Sequence, residues 1–416
     1  MIKFNFDVKK HILNNGLEIL TIKKETLISS INIGLKVGAI NEGLKEKGLS
    51  HFIEHMLFKG TNKRGNEELN YELEALGGEY NAYTEYNDTV YTISCLSEEF
   101  ENAVEILGDM ITSSNFPEEE IEKERGVILA EIRTSKDDVE DLSFRKVNEI
   151  AFKNSPLRID VTGIEEEVKK FTRDDIVDYY NKFYTPKNSL ITIVSSLEHE
   201  EAKELVEKHF SNWSGEDIVP QEIIKEKNSF VTKTSYKKDM EQSTIVYLYT
   251  FHDIAKEDEL PLRILTHRLG ESANSLLFRE VRENRGLAYD IYTQLDMTKN
   301  IKTLYIYTSV AEEDVQKTIE AIDETLEKVI NKSILIGEKD FNIMKKVYKT
   351  AVISTLEDSA ELCNYILHQE LEGEDIFEFV TDMESLNNID KDRIYEVAKE
   401  VLKEPTIHIL KRLEGK

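Results

Sequence analysis

A strand followed by a helix with an acidic start occurs twice in this chain, half a chain apart. TVYTISCL (89–96) precedes SEEFENAVEILGDMI (97–111), and TLYIYTSV (303–310) precedes AEEDVQKTIEAIDETLEKV (311–329). The second copy begins 214 residues after the first, in a chain of 416 residues. A single hydrophobic core seldom grows to that size, and a repeat at half the length is not the period of a solenoid. The repeat therefore predicts two related domains.

The join between the predicted domains is placed where periodicity is lost. NWSGEDIVPQEIIKEKNS (212–229) is polar, contains one glycine and one proline, and follows neither the strand nor the helix period. We predict three segments, namely an N-terminal domain over 1–212, a linker over 213–229 and a C-terminal domain over 230–416.

Strands in this sequence either follow one another closely or are separated by helices. LEILTIKK (17–24) and SINIGLKVGA (30–39) are successive strand patterns. The second pattern places alternate apolar residues on one face, namely Ile31, Ile33, Leu35 and Val37. This mixture of hairpins and helices favours an α+β fold over a doubly wound parallel sheet. In such a fold each domain is a mainly antiparallel sheet packed with helices.

Charge and composition narrow the functional classes. The formal net charge of −28 would repel a phosphate backbone, which argues against a nucleic-acid partner. The negative charge is compatible with a cationic substrate, although the need to keep the chain soluble explains the charge more simply. No apolar run reaches the roughly 20 residues that cross a bilayer, and the charged N-terminus is unlike a secretory signal. Cys95 and Cys363 are far apart and are expected to be buried free thiols. We expect a soluble, cytoplasmic chain with no membrane partner.

The stretch GLSHFIEHMLFKG (48–60) carries the pattern H-x-x-E-H. At about 100° per residue, His51, Glu54 and His55 lie on one side of a helix. The opposite side is apolar and is formed by Leu49, Phe52, Ile53, Met56 and Leu57. The two imidazoles are one turn apart, a separation that allows both to bind one metal ion.

An ordinary solvated helix face is the alternative explanation of this pattern. The chain contains 9 His and 81 acidic residues. From these frequencies, H-x-x-[DE]-H is expected by chance about 0.04 times in such a chain. The pattern alone therefore favours a metal site over a chance arrangement.

A tetrahedral catalytic zinc needs a third protein ligand and leaves its fourth position to water. The predicted helix PEEEIEKERGVILAEIRTSKDD (117–138) carries two candidates, Glu124 and Glu131, which are seven residues apart on one edge of its apolar stripe. One would be a ligand and the other a supporting acid. The alternative is that both are surface acids, since Glu is abundant here.

With these residues the chain resembles the pitrilysin and insulin-degrading-enzyme peptidases, the inverzincins, whose zinc motif has the order H-x-x-E-H. It is most similar to the single-length members, such as bacterial processing peptidases and the mitochondrial processing peptidase β subunit. The resemblance implies that His51, His55 and Glu131 bind one zinc ion per chain. Glu131 lies 76 residues beyond His55, at the family's third ligand. Glu124 matches the acid that supports the site from outside the ligand set.

Further stretches carry the same resemblance. GGEYNAYTEYNDTVY (77–91) is similar to the segment whose backbone binds extended substrate, which implies a substrate-binding role for Asn81, Ala82 and Tyr83. YTPKN (184–188) resembles the block that precedes a strand. LLFREVRENRGLAYDIYT (276–293) resembles the second-domain block that assists catalysis, with Arg282 and Tyr289 at the two assisting positions.

The resemblance implies a zinc-dependent endopeptidase that hydrolyses peptides or processes small precursors. Glu54 would be the general base, and Arg282 and Tyr289 would donate hydrogen bonds to the substrate carbonyl and developing oxyanion. Family members enclose an extended peptide in a closed chamber of four domains. A homodimer, or a heterodimer with a related chain, would supply the other two.

Several alternatives remain open from the sequence. The chain could be a non-catalytic or partner-dependent peptide-binding subunit of the same fold. Taken alone, Tyr289 is typical of a strand aromatic that faces a core, and Arg282 of a solvated helix residue. His267 lies on the predicted counterpart of the zinc helix, but it has no second ligand at metal spacing and is expected to be structural.

Overall fold

The computed structural model describes residues 6–219, 222–334 and 336–413. These residues form two compact units, each of which combines segments from both halves of the sequence. Within the described residues, the first unit comprises the segments up to Arg133, from Asp160 to Glu222 and from Val352 to Ile376. The second unit comprises Thr134–Ile159, Ile223–Ala351 and the segment from Phe377 onward.

Each unit contains one sheet. The first sheet consists of β1 (Phe6–Ile12), β2 (Glu18–Lys24), β3 (Ile28–Leu35), β4 (Glu79–Thr84), β5 (Thr89–Leu96) and β6 (Ser189–Ser195). The second sheet consists of β7 (Val231–Lys237), β8 (Ser243–Thr250), β9 (Ala288–Met297), β10 (Lys302–Val310) and β11 (Thr406–Arg412).

The two sheets share one topology. The first has the order β1-β2-β6-β3-β5-β4 and the second the order β7-β11-β8-β10-β9. When each number from β2 to β6 is raised by five, the first order becomes the second. Each sheet has one parallel pair at the same place, β2 with β6 and β7 with β11, and its other pairs are antiparallel. The prediction of an α+β fold with two related, mainly antiparallel domains is confirmed.

Helices surround both sheets. In the first half of the sequence they are α1 (Leu49–Met56), α2 (Asn66–Ala75), α3 (Phe100–Ser113), α4 (Glu118–Asp137), α5 (Val139–Ala151), α6 (Glu165–Val168), α7 (Arg173–Phe183) and α8 (His199–Phe210). In the second half they are α9 (Glu259–Gly270), α10 (Val315–Ile330), α11 (Glu338–Glu357), α12 (Ser359–Glu372), α13 (Glu378–Asn388) and α14 (Lys391–Val401). Among the described residues, none of these helices has the length and apolarity needed to cross a bilayer.

Two helices are exchanged between the halves of the sequence. Helix α5 belongs to the second unit and packs against β8 and β11, where the Ser143 hydroxyl lies 2.6 Å from that of Thr244. Helix α12 belongs to the first unit and packs against β3 and β6, where the Cys363 thiol lies 3.3 Å from the Thr192 hydroxyl. The units therefore differ from the predicted sequential division at 134–159 and 352–376, because each of these helices buries its face on the other half's sheet. One boundary between the two units in the sequence lies between Glu222 and Ile223, and this boundary falls within the predicted linker 213–229.

The core of the first unit fixes the orientation of α1. The predicted inward residues of β3 and the segment after it, and the whole apolar face of α1, are buried, namely Ile31, Ile33, Leu35, Val37, Leu49, Phe52, Ile53, Met56 and Leu57. Full burial of such side chains contributes about 1.5–3 kcal/mol each. Because this face is buried, the other side of α1 is turned away from the core, and it carries the two histidines and Glu54.

Candidate metal centre and active site

The start of α1 is held by a buried carboxylate. Glu42 accepts hydrogen bonds from the backbone N–H groups of Gly48, at 3.0 Å, and Ser50, at 2.8 Å. These are donors that a helix N-terminus leaves unsatisfied, and a negative charge is favourable there. Burial raises the pKa of Glu42 to about 7 against the lowering effect of these hydrogen bonds. Gly48 adopts φ +106°, a conformation that glycine allows at the turn into the helix.

Three side chains converge beside α1. One carboxylate oxygen of Glu131 lies 3.7 Å from Nε2 of His51 and 3.5 Å from Nε2 of His55. The three ligand atoms all lie within 4.8 Å of one another, and no other such group occurs among the described residues. In a tetrahedral zinc site with bonds of about 2.0–2.1 Å, neighbouring ligand atoms are about 3.3 Å apart. Two imidazole nitrogens and one carboxylate at these distances therefore fit a zinc ion.

The two histidines are not part of a solvated helix face. Their side chains keep only 13% and 17% of their exposure, for His51 and His55 respectively. Burial lowers the pKa of His51 to about 4, with a further lowering from the neighbouring His55. His51 is therefore neutral at pH 7, which is the form in which an imidazole binds a metal.

His55 is oriented by an acid and, behind it, a lysine. Nδ1 of His55 lies 3.1 Å from one oxygen of Glu124, and Nζ of Lys59 lies 2.9 Å from the other. Burial lowers the pKa of His55, but the bond to Glu124 and the charge of Glu131 outweigh burial and raise it. For Glu124 burial raises the pKa, whereas the bonds to His55 and Lys59 bring it below its usual value. With its proton on Nδ1, His55 presents the Nε2 lone pair to the ion.

Glu54 lies on the same side of α1 but outside the ligand group. The Thr84 hydroxyl donates a hydrogen bond of 2.8 Å to one oxygen of its carboxylate. Burial raises the pKa of Glu54, and the nearby charge of Glu131 acts in the same direction. A carboxylate with a raised pKa next to a metal site has the properties of a general base.

A groove of about 320 Å³ opens beside these residues. It is lined by residues of α1 and the segment after it, by Asn70, by Glu124 and by β4, including Tyr80, Asn81 and Ala82. Of the predicted substrate-binding residues, Asn81 is exposed and Ala82 is half-buried. The side chain of Tyr83 points to the other face of the sheet, where its hydroxyl donates to Asn364.

Arg282 and Tyr289 are neighbours in the second unit. Arg282 lies in a π-helical segment, Phe278–Asn284, and Tyr289 lies at the start of β9. The guanidinium carbon is 4.5 Å from the centre of the Tyr289 ring and 4.7 Å from that of Phe278. Tyr289 is 74% exposed, so it is not the core aromatic that its strand pattern alone indicates.

The counterpart of α1 in the second unit is α9, because α9 follows β8, the strand that corresponds to β3, as α1 follows β3. His267 lies on α9, with Nδ1 3.3 Å from a carboxylate oxygen of Glu271. Among the described residues, His267 is not part of a group of side chains that could hold a metal ion. Its expected structural role stays a prediction.

The sequence reasoning missed Glu42, Lys59 and Thr84. Lys59 stands in the quoted stretch around the motif, but its partner Glu124 lies on a different helix. Thr84 could have been noticed from strand alternation, which places it on the same face of β4 as Tyr80 and Ala82. Glu42 gave no periodic signal, because it lies in a loop.

Comparisons with known proteins match both halves of the chain to one family. The family description "Insulinase (Peptidase family M16)" matches residues 18–163, and "Peptidase M16 inactive domain" matches residues 170–348. An uncharacterized zinc protease of Rickettsia felis is 32% identical over 79% of this chain and 79% of its own length.

Two further proteins are similar over different shares of the chain. Cytochrome b-c1 complex subunit 1 of Bos taurus mitochondria is 34% identical over 50% of this chain and 44% of its own length. The crystal structure of a protease from Helicobacter pylori has a TM-score of 0.92 at 21% identity, covering 98% of this chain and all of that one. The last likeness concerns the fold.

Proposed function

The chain belongs to peptidase family M16, and from this membership we propose that it is a zinc-dependent endopeptidase acting on peptides bound in extended form. The observation that carries the proposal is the convergence of His51, His55 and Glu131 on one point, with Glu54 beside them. Relatives named zinc proteases support the identity of the metal. We propose one ion per chain, since the described residues contain one such group.

His51, His55 and Glu131 would hold the zinc ion, which would supply a Lewis acid and lower the pKa of a water molecule bound there. Glu54 would accept a proton from the attacking water as the water oxygen bonds to the peptide carbonyl carbon. It then delivers a proton to the leaving amine nitrogen as the C–N bond breaks. Burial, the main cause of the raised pKa of Glu54, favours its taking up a proton in the first step.

The substrate is proposed to add to the free edge of β4. Within the described residues this strand has one sheet neighbour, β5, and its other side is an edge of the sheet. The backbone of Ala82, which faces away from β5, would then pair with an extended peptide, and Asn81 and Tyr83 flank this contact in the proposed binding segment. Such backbone pairing makes modest demands on the sequence of the peptide.

The second unit is proposed to contribute Arg282 and Tyr289 as hydrogen-bond donors to the substrate carbonyl and the developing oxyanion. The exposure of the Tyr289 ring and its contact with Arg282 support this role. A chamber completed by a second chain, identical or related, also remains a proposal.

The test compares wild type with Glu54→Gln. Both proteins are purified, their zinc content is measured by mass spectrometry, and hydrolysis of an internally quenched peptide is followed. We expect about one zinc per chain in both proteins, because Glu54 is not a ligand, and hydrolysis in the wild type alone. His51→Ala is the control that should lose zinc and activity together. Equal hydrolysis by wild type and Glu54→Gln would remove the proposed base.

A second candidate is a non-catalytic or partner-dependent subunit of the same fold. The likeness to a subunit of a respiratory complex and the match to a domain described as inactive favour it. The complete ligand set and Glu54 favour the peptidase. Bound zinc without hydrolysis in the wild type would indicate a missing partner, whereas absence of zinc after reconstitution would indicate a non-catalytic chain.

A further inference from the structure

Strand β4 is an edge strand, and its position depends on more than the sheet. It pairs with β5 alone, so half of its backbone hydrogen-bonding capacity is unused within the sheet. Edge strands open more readily than central ones unless other contacts hold them. Two neighbouring residues of β4, Tyr83 and Thr84, make such contacts on opposite faces of the sheet.

On the inner face, Thr84 contacts the proposed base. Its side chain is buried, and its hydroxyl donates to one oxygen of Glu54 at 2.8 Å. The Thr84 backbone also hydrogen-bonds this carboxylate. A glutamate has three rotatable side-chain bonds, whereas Thr84 is fixed by the strand and its β-branch. The hydrogen bond therefore restricts the movement of the Glu54 carboxylate relative to the strand.

On the outer face, Tyr83 contacts the exchanged helix α12. Its hydroxyl donates to Asn364 Oδ1 at 2.7 Å and lies 2.9 Å from Nε2 of His368. The Tyr83 and His368 rings are stacked, with centroids 6.1 Å apart and planes inclined by 23°. The helix itself is seated on the sheet by four fully buried side chains, namely Leu362, Cys363, Ile366 and Leu367.

We propose that Thr84 is a positioning residue for Glu54, and that Tyr83, bound to Asn364 and His368, fixes β4 in the place from which Thr84 acts. The inference rests on the proposed role of Glu54 as the base. Adjacent strand residues are only about 3.3 Å apart, so a shift of β4 on one face moves the contact on the other. Because the same strand is the proposed peptide-binding edge, base and substrate are placed by one element.

The first test removes the hydroxyl of Thr84 while keeping its shape. Thr84→Val is compared with Thr84→Ser, which keeps the hydroxyl. We expect kcat to fall about tenfold or more in the Val variant, with KM within about twofold and zinc content unchanged, since misplacing a catalytic group by about 1 Å costs up to 100-fold. The Ser variant should recover most of kcat. Thermal melting checks that both variants fold.

The second test removes the Tyr83 hydroxyl, with a matched control in the other unit. Tyr305 donates to Asn148 of α5 at 2.8 Å, and Asn148 is the tenth residue of its helix, as His368 is of α12. Tyr83→Phe therefore removes the contacts of one hydroxyl with Asn364 and His368, and Tyr305→Phe removes the contact of one hydroxyl with Asn148, in each case between a sheet and an exchanged helix. We expect similar decreases in melting temperature and a several-fold decrease in kcat for Tyr83→Phe alone.

The possible results distinguish a failure of the positioning role from a failure of the proposed peptidase function. A wild type that hydrolyses peptides, together with a Thr84→Val variant of equal kcat, overturns the positioning role but leaves the proposed function standing. Equal kcat for Tyr83→Phe, Tyr305→Phe and wild type overturns the contribution of α12. A zinc-loaded wild type without hydrolysis, alone or with a related chain, overturns the base and the inference together.

Discussion

Lys59 contacts the metal centre only through another side chain. Its ammonium group is 2.9 Å from Glu124, whose side chain keeps 8% of its exposure, and the other oxygen of that acid faces His55. A buried carboxylate without a cation is costly and takes up a proton more readily. The positive charge of Lys59 thus keeps Glu124 ionised, so that Glu124 can accept a hydrogen bond from the N–H group of the His55 ring.

We predict that Lys59→Met weakens zinc binding about tenfold or more, because the partners behind a ligand typically contribute 10–100-fold to metal affinity. Methionine keeps the apolar stem and removes the charge. Competition with a chromophoric chelator measures the zinc dissociation constant without reference to activity. Lys63→Met, at an exposed residue on the same segment, is the control. Equal affinity in wild type and Lys59→Met would show that Glu124 needs no cation.

Residues on one helix were the part of the site that the sequence could predict. His51, Glu54 and His55 lie on one side of α1, as helical geometry alone predicts, and their roles stay predictions. Glu131 needed a second helix to be packed against the first, and only the family resemblance selected it over Glu124. Thr84 could not be assigned a partner, because the sequence does not show which helix faces the inner side of β4.

At the scale of elements, the two long helices, α4 and α11, end in the same way. Each of α4 and α11 has 20 residues and is followed by an aspartate that caps the exchanged helix. Asp138 accepts from the backbone N–H groups of Glu140 and Asp141, and Asp358 accepts from those of Ala360 and Glu361. The caps let the chain turn from a long helix into an exchanged one while satisfying the exposed donors.

We predict that Asp358→Ala destabilises the protein by about 1 kcal/mol, since the cap bonds at 2.8 and 2.9 Å are lost. Asp358→Asn should be nearly neutral, because asparagine caps as well as aspartate. Denaturant unfolding followed by circular dichroism gives both values. An alanine variant as stable as wild type would mean that solvent replaces the cap without cost.

The exchange of α5 and α12 is the element-scale feature that the sequence could not predict. An amphipathic pattern shows which face of a helix is buried, but it does not show against which sheet. The buried positions of α5 are small, namely Ser143, Val147 and Ala151, and would fit either domain. The strands were predictable because alternation and chain order together fix a sheet once its topology repeats.

At the scale of the whole molecule, a repeated scaffold carries its candidate metal ligands in one copy, among the residues that the structure describes. Both units repeat the strand order and the exchanged helix, yet the described residues of the second unit contain no metal-like group. The second copy instead carries the exposed Tyr289 and its neighbour Arg282. The two copies therefore share an architecture and differ in the side chains that they present.

The net charge of −28 is a property of the whole chain, and it acts on substrates over the distance that salt allows. The Debye length falls from about 30 Å at 0.01 M salt to about 8 Å at 0.15 M. We predict that kcat/KM for a cationic peptide falls several-fold over this range, because the attraction that raises the encounter rate is screened. For an anionic peptide of the same length kcat/KM should rise, and a neutral one provides the control. Steady-state assays with three peptides that share one cleavable core make the comparison. Equal responses of all three peptides to salt would show that the acidic surface serves solubility alone, without a role in choosing substrates.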